Sequence, residues 1–276
     1  MTVDTAAARR FVYAEGRVLE QRLYARLFED GEPEGVLEAL RGFRNPDGGF
    51  GHGLEPDKRC PDSQPLDVQV ALETMEAAGR VDRRIALEAC DWLSTAADDR
   101  GLVPPVLPPA GDYPVAAHWG EMSREPDVNV TLGVLAVLAR AGIDHPWRTR
   151  AEGSALEELE RDPPAEAHAL RSAFRYLDAS GGGGELRQRL AETLRRADWF
   201  KADAESDDYG VTPLEYPPDL FSPEELAPHL DRLERDQQPD GGWPISWQPP
   251  SQASVLEWRA IVTIRALRTL RAHGRL

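Results

Sequence analysis

Cysteine is nearly absent: the two present, Cys60 and Cys90, are too few for a disulfide framework, and their spacing matches no common zinc pattern. Long apolar runs are missing too, so no membrane-spanning helix is expected. The stretch 1–10 lacks the apolar core of a signal peptide, and a cytoplasmic protein is expected. Positive charge is in deficit. Lys and Arg number 32 against 48 Asp and Glu, which leaves a net charge of −16. That balance argues against nucleic acid as a partner, because phosphate backbones are bound by basic surfaces, and against an anionic membrane face. What remains, 41% hydrophobic and 29% charged residues, is ordinary globular composition, and 276 residues suffice for one large core.

One pattern organises the chain. Arg44-Asn45-Pro46-Asp47-Gly48-Gly49-Phe50 near one end is matched by Gln237-Gln238-Pro239-Asp240-Gly241-Gly242-Trp243 near the other. Each copy follows an amphipathic run, at 36–43 or 226–233, and leads through a polar loop to a second helical run. Proline ends a helix, Asp-Gly-Gly supplies the positive φ angles of a tight turn, and the aromatic packs back on its own repeat. A repeat of helix, glycine turn and helix follows. Arg100-Gly101-Leu102 reads as an eroded third copy and Asp207-Asp208-Tyr209-Gly210 as a fourth.

Gln237, Gly241 and Trp243 fit the pattern Q-x-x-x-G-x-W, with Arg44, Gly48 and Phe50 a degenerate copy. In these motifs the chain resembles the terpenoid cyclase and protein prenyltransferase superfamily. The resemblance implies an all-α fold, an α/α toroid in which inner and outer helices alternate around a central cavity, as a single domain over 1–276. The periodicity itself predicts about ten helices and no convincing strand. Among them are a long stripe from Phe11 to Leu27, an almost wholly apolar helix at 128–138, a charged one at 185–200, and a last one at 253–272. Ser222-Pro223-Glu224-Glu225 is a capping box that starts the helix to Gln237. Strict alternation would place an inner helix at 211–221, but three prolines forbid a regular one, so the ring is expected to be incomplete there.

If outer helices run one way and inner helices return, the loops after the glycine turns gather at one mouth. That mouth would collect His52, Glu55 and Asp57 from 51–65; His118, Trp119, Glu121, Glu125 and Asp127 from the long loop before 128; Glu215 and Asp219 from 211–221; and Trp243 and Trp247 from the last loop. The catalytic candidates are Asp127, Glu121 and His118, and the others, Glu125 and Asp219 apart, are read as substrate-binding. Asp127 is also a ready cap for the helix at Val128. No cofactor and no bound metal are expected. His52, Asp57 and Cys60 would meet around zinc only if their loop folds back.

The cyclase branch protonates an alkene with a carboxylic acid kept neutral in an apolar cavity. Its acid lies in D-x-D-D at the start of an inner helix. Here Glu125-Pro126-Asp127-Val128 keeps one Asp and loses the last. Asp57-Lys58-Arg59-Cys60 departs likewise from the D-x-C pair of the prenyltransferase zinc site. The resemblance therefore implies a hydrophobic, isoprenoid-type small molecule in a central cavity, with acid-initiated cyclisation or isomerisation. Two alternatives stay open: a carbohydrate-active enzyme using paired carboxylates and stacking Trp residues, and a scaffold without catalysis. A deep apolar cavity would favour the first reading, an open acidic groove lined by Trp the second, and a filled centre the third.

Overall fold

The computed structural model describes residues 3–121, 124–182 and 184–276, the side chains of Pro109 and Glu121 excepted. Within them the two Pro-Asp-Gly-Gly stretches fold into the same turn. Gly48 and Gly241 stand at φ +94° and +95°, where any side chain would be strained. Asp47 and Asp240 accept the N–H of the second glycine at 2.9 and 3.0 Å. The carbonyl of that glycine accepts in turn from the N–H of Asn45 or Gln238. The eroded copy keeps the turn with a different cap: Gly101 has φ +87°, and Asp98 accepts the N–H groups of Arg100 and Leu102. The 207–210 stretch is a different turn, because Gly210 has no positive φ and the backbone around it bridges Val211 to Phe200.

Twelve α-helices, and no strand beyond isolated bridges, are found among the described residues: α1 (Thr5–Glu15), α2 (Val18–Phe28), α3 (Pro33–Leu40), α4 (Pro65–Ala77), α5 (Arg83–Ala96), α6 (Ala117–Glu121), α7 (Val128–Arg140), α8 (Pro146–Arg161), α9 (Ala167–Ser180), α10 (Gly184–Leu194), α11 (Pro223–Arg235) and α12 (Gln252–Ala272). None is long and apolar enough to cross a membrane.

Most boundaries follow the local signals. The capping box at Ser222 forms, with Pro223 in the first turn of α11. Two expectations are corrected. The stripe from Phe11 to Leu27 is two helices, because Arg17 turns extended to reach the carbonyls of Gly53 and Leu54 with its guanidinium. The charged run at 185–200 stops at Leu194, where the chain leaves the helix and Asp198 exchanges backbone hydrogen bonds with Ala165 and Ala167. At 211–221 the prolines allow only two short 3-10 turns, Pro213–Glu215 and Pro218–Leu220, as their missing N–H groups require.

The most buried element is α7, apolar nearly all round and packed by α4, α8 and α9. Gly133 lets α4 approach, since a Cβ there would stand 2.3 Å from the Gln69 amide. Elsewhere α3 touches α2 and α4, α5 touches α4 and α8, α10 lies on α9, and α12 packs on α1, α2 and α11. The glycine turns tie this array together. Gly48 sits on the Glu88 carbonyl of α5, Gly101 on Ala151 of α8, and Gly241 on the Ala7 carbonyl of α1. Gln237 adds two hydrogen bonds to the backbone of Asp4, so the last repeat is fastened to the first helix.

Trp243, 1% exposed, donates its indole N–H to the Leu233 carbonyl at 2.7 Å. Trp243→Ala is expected to lower stability by about 3–5 kcal/mol, the range for truncating a buried aromatic. Urea denaturation measures this, and an unchanged midpoint would remove Trp243 from the core.

Candidate active site

Asp57 is the centre of the group that the fold brings together. It lies in the loop between the first glycine turn and α4, and that loop is held on two sides. Its backbone is zipped to the next long loop: the Asp57 carbonyl accepts from Ala116, Arg59 donates to the Pro114 carbonyl, and Lys58 bridges Val115. On the other side the Arg59 side chain reaches Glu257 and Ser254 at the start of α12. These ties put Asp57 beneath two indoles. Its Oδ1 accepts from Trp258 Nε1 at 2.8 Å and from Trp247 Nε1 at 3.4 Å, while Oδ2 faces His118 Nε2 at 3.6 Å.

Burial, with the nearby charge of Glu55 added, raises the Asp57 carboxyl to about 7, although the indole N–H groups favour its ionised form. His118 moves the opposite way: burial lowers its pKa against the pull of the Glu55 charge, and His168 acts in the same direction as burial. Near neutral pH the carboxyl is therefore half-protonated and the facing imidazole is neutral. A carboxylic acid beside a neutral imidazole is a donor and an acceptor of protons in one place.

Directly below, Lys58 is fully buried, with its Nζ 3.0 Å from Glu55 Oε2 and 3.2 Å from Asp67 Oδ2. Burial works against its charge, but Asp67 and Glu55 outweigh burial and raise its pKa. Asp67 also accepts the Glu55 N–H at 2.7 Å. This closed network shapes the loop that presents Asp57.

The rim is aromatic. The Trp247 ring meets Trp258 at 5.1 Å and Tyr209 at 5.8 Å, and Tyr209 stacks on His168. His168 is itself held at both nitrogens, Nδ1 by Glu166 at 3.0 Å and Nε2 by the Tyr209 hydroxyl at 2.9 Å. Trp199, with φ +61° and half its surface exposed, closes the row edge-on to His168. Inward from Trp258 an opening of about 120 Å³ continues between α2, α4 and α12. Leu19, Leu23, Val70 and Ile261 line part of it, and Arg17, Glu20, Glu73, Arg265 and Arg268 the rest. A larger cavity of about 250 Å³, around Phe200, Phe221 and His229, holds none of the candidate residues.

Of the residues expected at the mouth, the fold joins Asp57, His118, Trp247 and Glu55. Trp119 lies just behind, in a small core with Cys60 and Ala116, its ring 5.8 Å from Lys58 Nζ. Glu215 is taken up by Arg171 and by the Thr212 N–H. His52 is an exposed turn residue bonded to the Asn45 side chain, and Trp243 is in the core. Asp127 caps α7 through the Asn129 N–H at 2.8 Å, yet burial still raises its carboxyl to about 6. The cap and the raised acid thus coexist in one residue. No hydrogen bond or ion pair among the described residues joins Asp127 to Asp57 or His118. The side chain of Glu121 lies outside the described residues. Among the described residues no three His, Cys, Asp or Glu side chains converge as metal ligands, and Cys60 bonds instead to Asp62 and Gln64.

Sequence reading passed over Trp258, Glu166, His168 and Tyr209. Trp258 sits within the apolar pattern of α12, where nothing distinguishes an indole facing a carboxylate from one facing the core. Glu166 and His168 flank a helix start, and the signal there was a carboxylate at a cap position.

No protein-family model matches the chain, and no curated protein matches it by sequence. Among solved structures, one described as a protein from Actinoplanes is similar, with a TM-score of 0.61 and 18% identity, over 97% of this chain and 100% of that one. At that identity the likeness carries the fold alone.

Proposed function

We propose that the chain is an α/α ring whose mouth holds a proton-transfer enzyme site, with Asp57 as general acid and His118 as its partner base. In this ring α2, α4, α7, α9 and α12 are the inner helices and α1, α3, α5, α8, α10 and α11 the outer ones. The glycine turns support it, because each seats on an outer helix of another repeat and the last seats on α1. The 3-10 turns at 211–221 stand where an inner helix is missing, so the ring is incomplete there.

One observation carries the catalytic reading: a carboxyl held near neutrality by burial, oriented by two indole N–H groups, with a neutral imidazole at 3.6 Å. Catalytic contacts of this length commonly tighten once substrate is bound. The acid gives a proton to one substrate atom while the imidazole removes one from another, so the proton count is unchanged. That is the chemistry of an isomerase or a lyase.

The surroundings favour a polar, ring-shaped substrate such as a sugar. Tyr209, Trp247 and Trp258 offer flat faces beside hydrogen-bonding groups. The opening behind them is walled by charged side chains, which a purely hydrocarbon guest would leave desolvated at considerable cost. A second reading, acid-initiated isomerisation of an isoprenoid in the central cavity, is favoured by the apolar part of that wall and by the aromatic faces around Asp57, which suit a developing carbocation.

A thermal-shift panel separates the two. A ligand at about 100 times its Kd adds about 2.7 kcal/mol of stability. Sugars and sugar derivatives are expected to raise Tm, and Trp247→Ala to abolish the rise. Shifts by isoprenoid alcohols with none from sugars would overturn the first reading in favour of the second.

A further inference from the structure

The acid–base reading leaves part of the opening unused. On α12 the residues Trp258, Ile261, Arg265 and Arg268 recur at helical spacing and all four line the opening. Arg265 and Arg268 hold no hydrogen bond or ion pair with any described residue; Arg265 only leans over the Trp258 ring at 5.8 Å. Both residues are exposed, yet burial lowers their pKa. Crowding by protein together with access to solvent is the condition of a group on the wall of a deep opening.

Charges of both signs surround them: Glu215 and Glu73 favour the charge of Arg265, and Glu76 and Glu73 that of Arg268. Arg171 of α9 acts against the charge of Arg265, and Arg175 against that of Arg268. The carboxylates within reach are already engaged. Glu73 and Glu76 pair with Arg175, Glu76 also with Arg140, Glu215 with Arg171, and Glu20 with Arg17. A chain of net charge −16 thus keeps two cations on the α12 wall of the opening without an ion-pair partner among the described residues.

We propose that Arg265 and Arg268 bind an oxyanion, the phosphate or carboxylate substituent of the substrate whose reacting end lies at Asp57. The proposal rests on the acid–base reading for the reacting end only. Two guanidinium groups three residues apart on one helix face can share the oxygens of one anion, and charge-assisted hydrogen bonds of this kind are the strong ones. Seven residues of α-helix separate Trp258 from Arg265, about 10 Å along the axis. The substrate is thus an anion whose charged group stands about that far from the atom receiving the proton.

Phenyl phosphate and benzoate at constant ionic strength are the probes, with binding read by calorimetry and by Tm on the full chain. At least one is expected to bind the wild type, with affinity about tenfold or more weaker in Arg265→Gln/Arg268→Gln and unchanged in Asp57→Asn. Binding of phenyl phosphate alone assigns a phosphate, and of benzoate alone a carboxylate. Without ligand, the double variant is expected to be at least as stable as the wild type, because burial first and nearby like charges second work against the two guanidinium groups. Binding of neither probe, equal binding by the double variant, or a marked loss of its unliganded stability would each overturn the proposal. If the anion binds while Trp247→Ala and a sugar panel leave Tm untouched, the anion site stands and the acid–base reading falls.

Discussion

Lys58→Met is expected to destabilise the protein by about 3–5 kcal/mol, the range for removing one partner from a buried ion pair. The ammonium is fully enclosed and is the cation facing both Glu55 and Asp67, whose side chains are also buried. Without it two carboxylates remain out of water with no cation in contact, the Arg17 guanidinium acting on Asp67 only from a distance, and only the Asp67 contact to the Glu55 N–H survives. Urea denaturation measures the loss, and a double variant assigns its cause. Adding Asp67→Asn to Lys58→Met removes one of the stranded charges and is expected to restore part of the stability. A loss below about 1 kcal/mol in the single variant would mean that water reaches the network, contrary to its burial. Because the same loop carries Asp57, the Lys58 variant should also blunt any ligand-induced Tm shift at the mouth.

Asp57→Asn is expected to stabilise the protein at pH 8 by up to about 4 kcal/mol and to leave it unchanged near pH 4. The carboxyl is raised from an ordinary 3.8 to about 7. Between those values the folded state holds a proton that the unfolded chain has already released. Stability therefore falls as pH rises through that window, and it levels off above it. Asparagine keeps an oxygen for the two indole donors but has no charge to bury, so its advantage grows over the same window. Asp127 is raised by burial as well, to about 6, so the wild-type slope alone mixes groups. The difference between the two proteins isolates Asp57. A variant less stable than wild type at pH 8 would show that the ionised carboxylate belongs to the fold, and it would remove Asp57 as an acid at neutral pH. The same substitution that stabilises should abolish turnover, since an amide has no acidic proton to give.

Local signals alone determined the all-helical character of the chain, the position of α7 as its buried helix, the capping box of α11 and the shared turn of the two Pro-Asp-Gly-Gly stretches. Each of these depends on interactions within a few residues: a side chain capping an N–H, a glycine relieving a positive φ, an apolar stripe set by 3.6 residues per turn. The loops were legible as places where functional groups gather, and Asp57, His118 and Trp247 were among the groups named.

Tertiary structure decided which of those carboxylates came to face an imidazole. In sequence, Asp57 and Asp127 are each an acid in a polar loop. In the fold, one lies under two indoles contributed by residues 190 and 201 positions away, and the other caps a helix. It likewise decided that Trp243 belongs to the core, that Lys58 is enclosed, and that Arg265 and Arg268 face an opening without partners. The physical reason is common to all: desolvation and charge pairing depend on what surrounds a group in space, and those surroundings come from segments far apart in the chain.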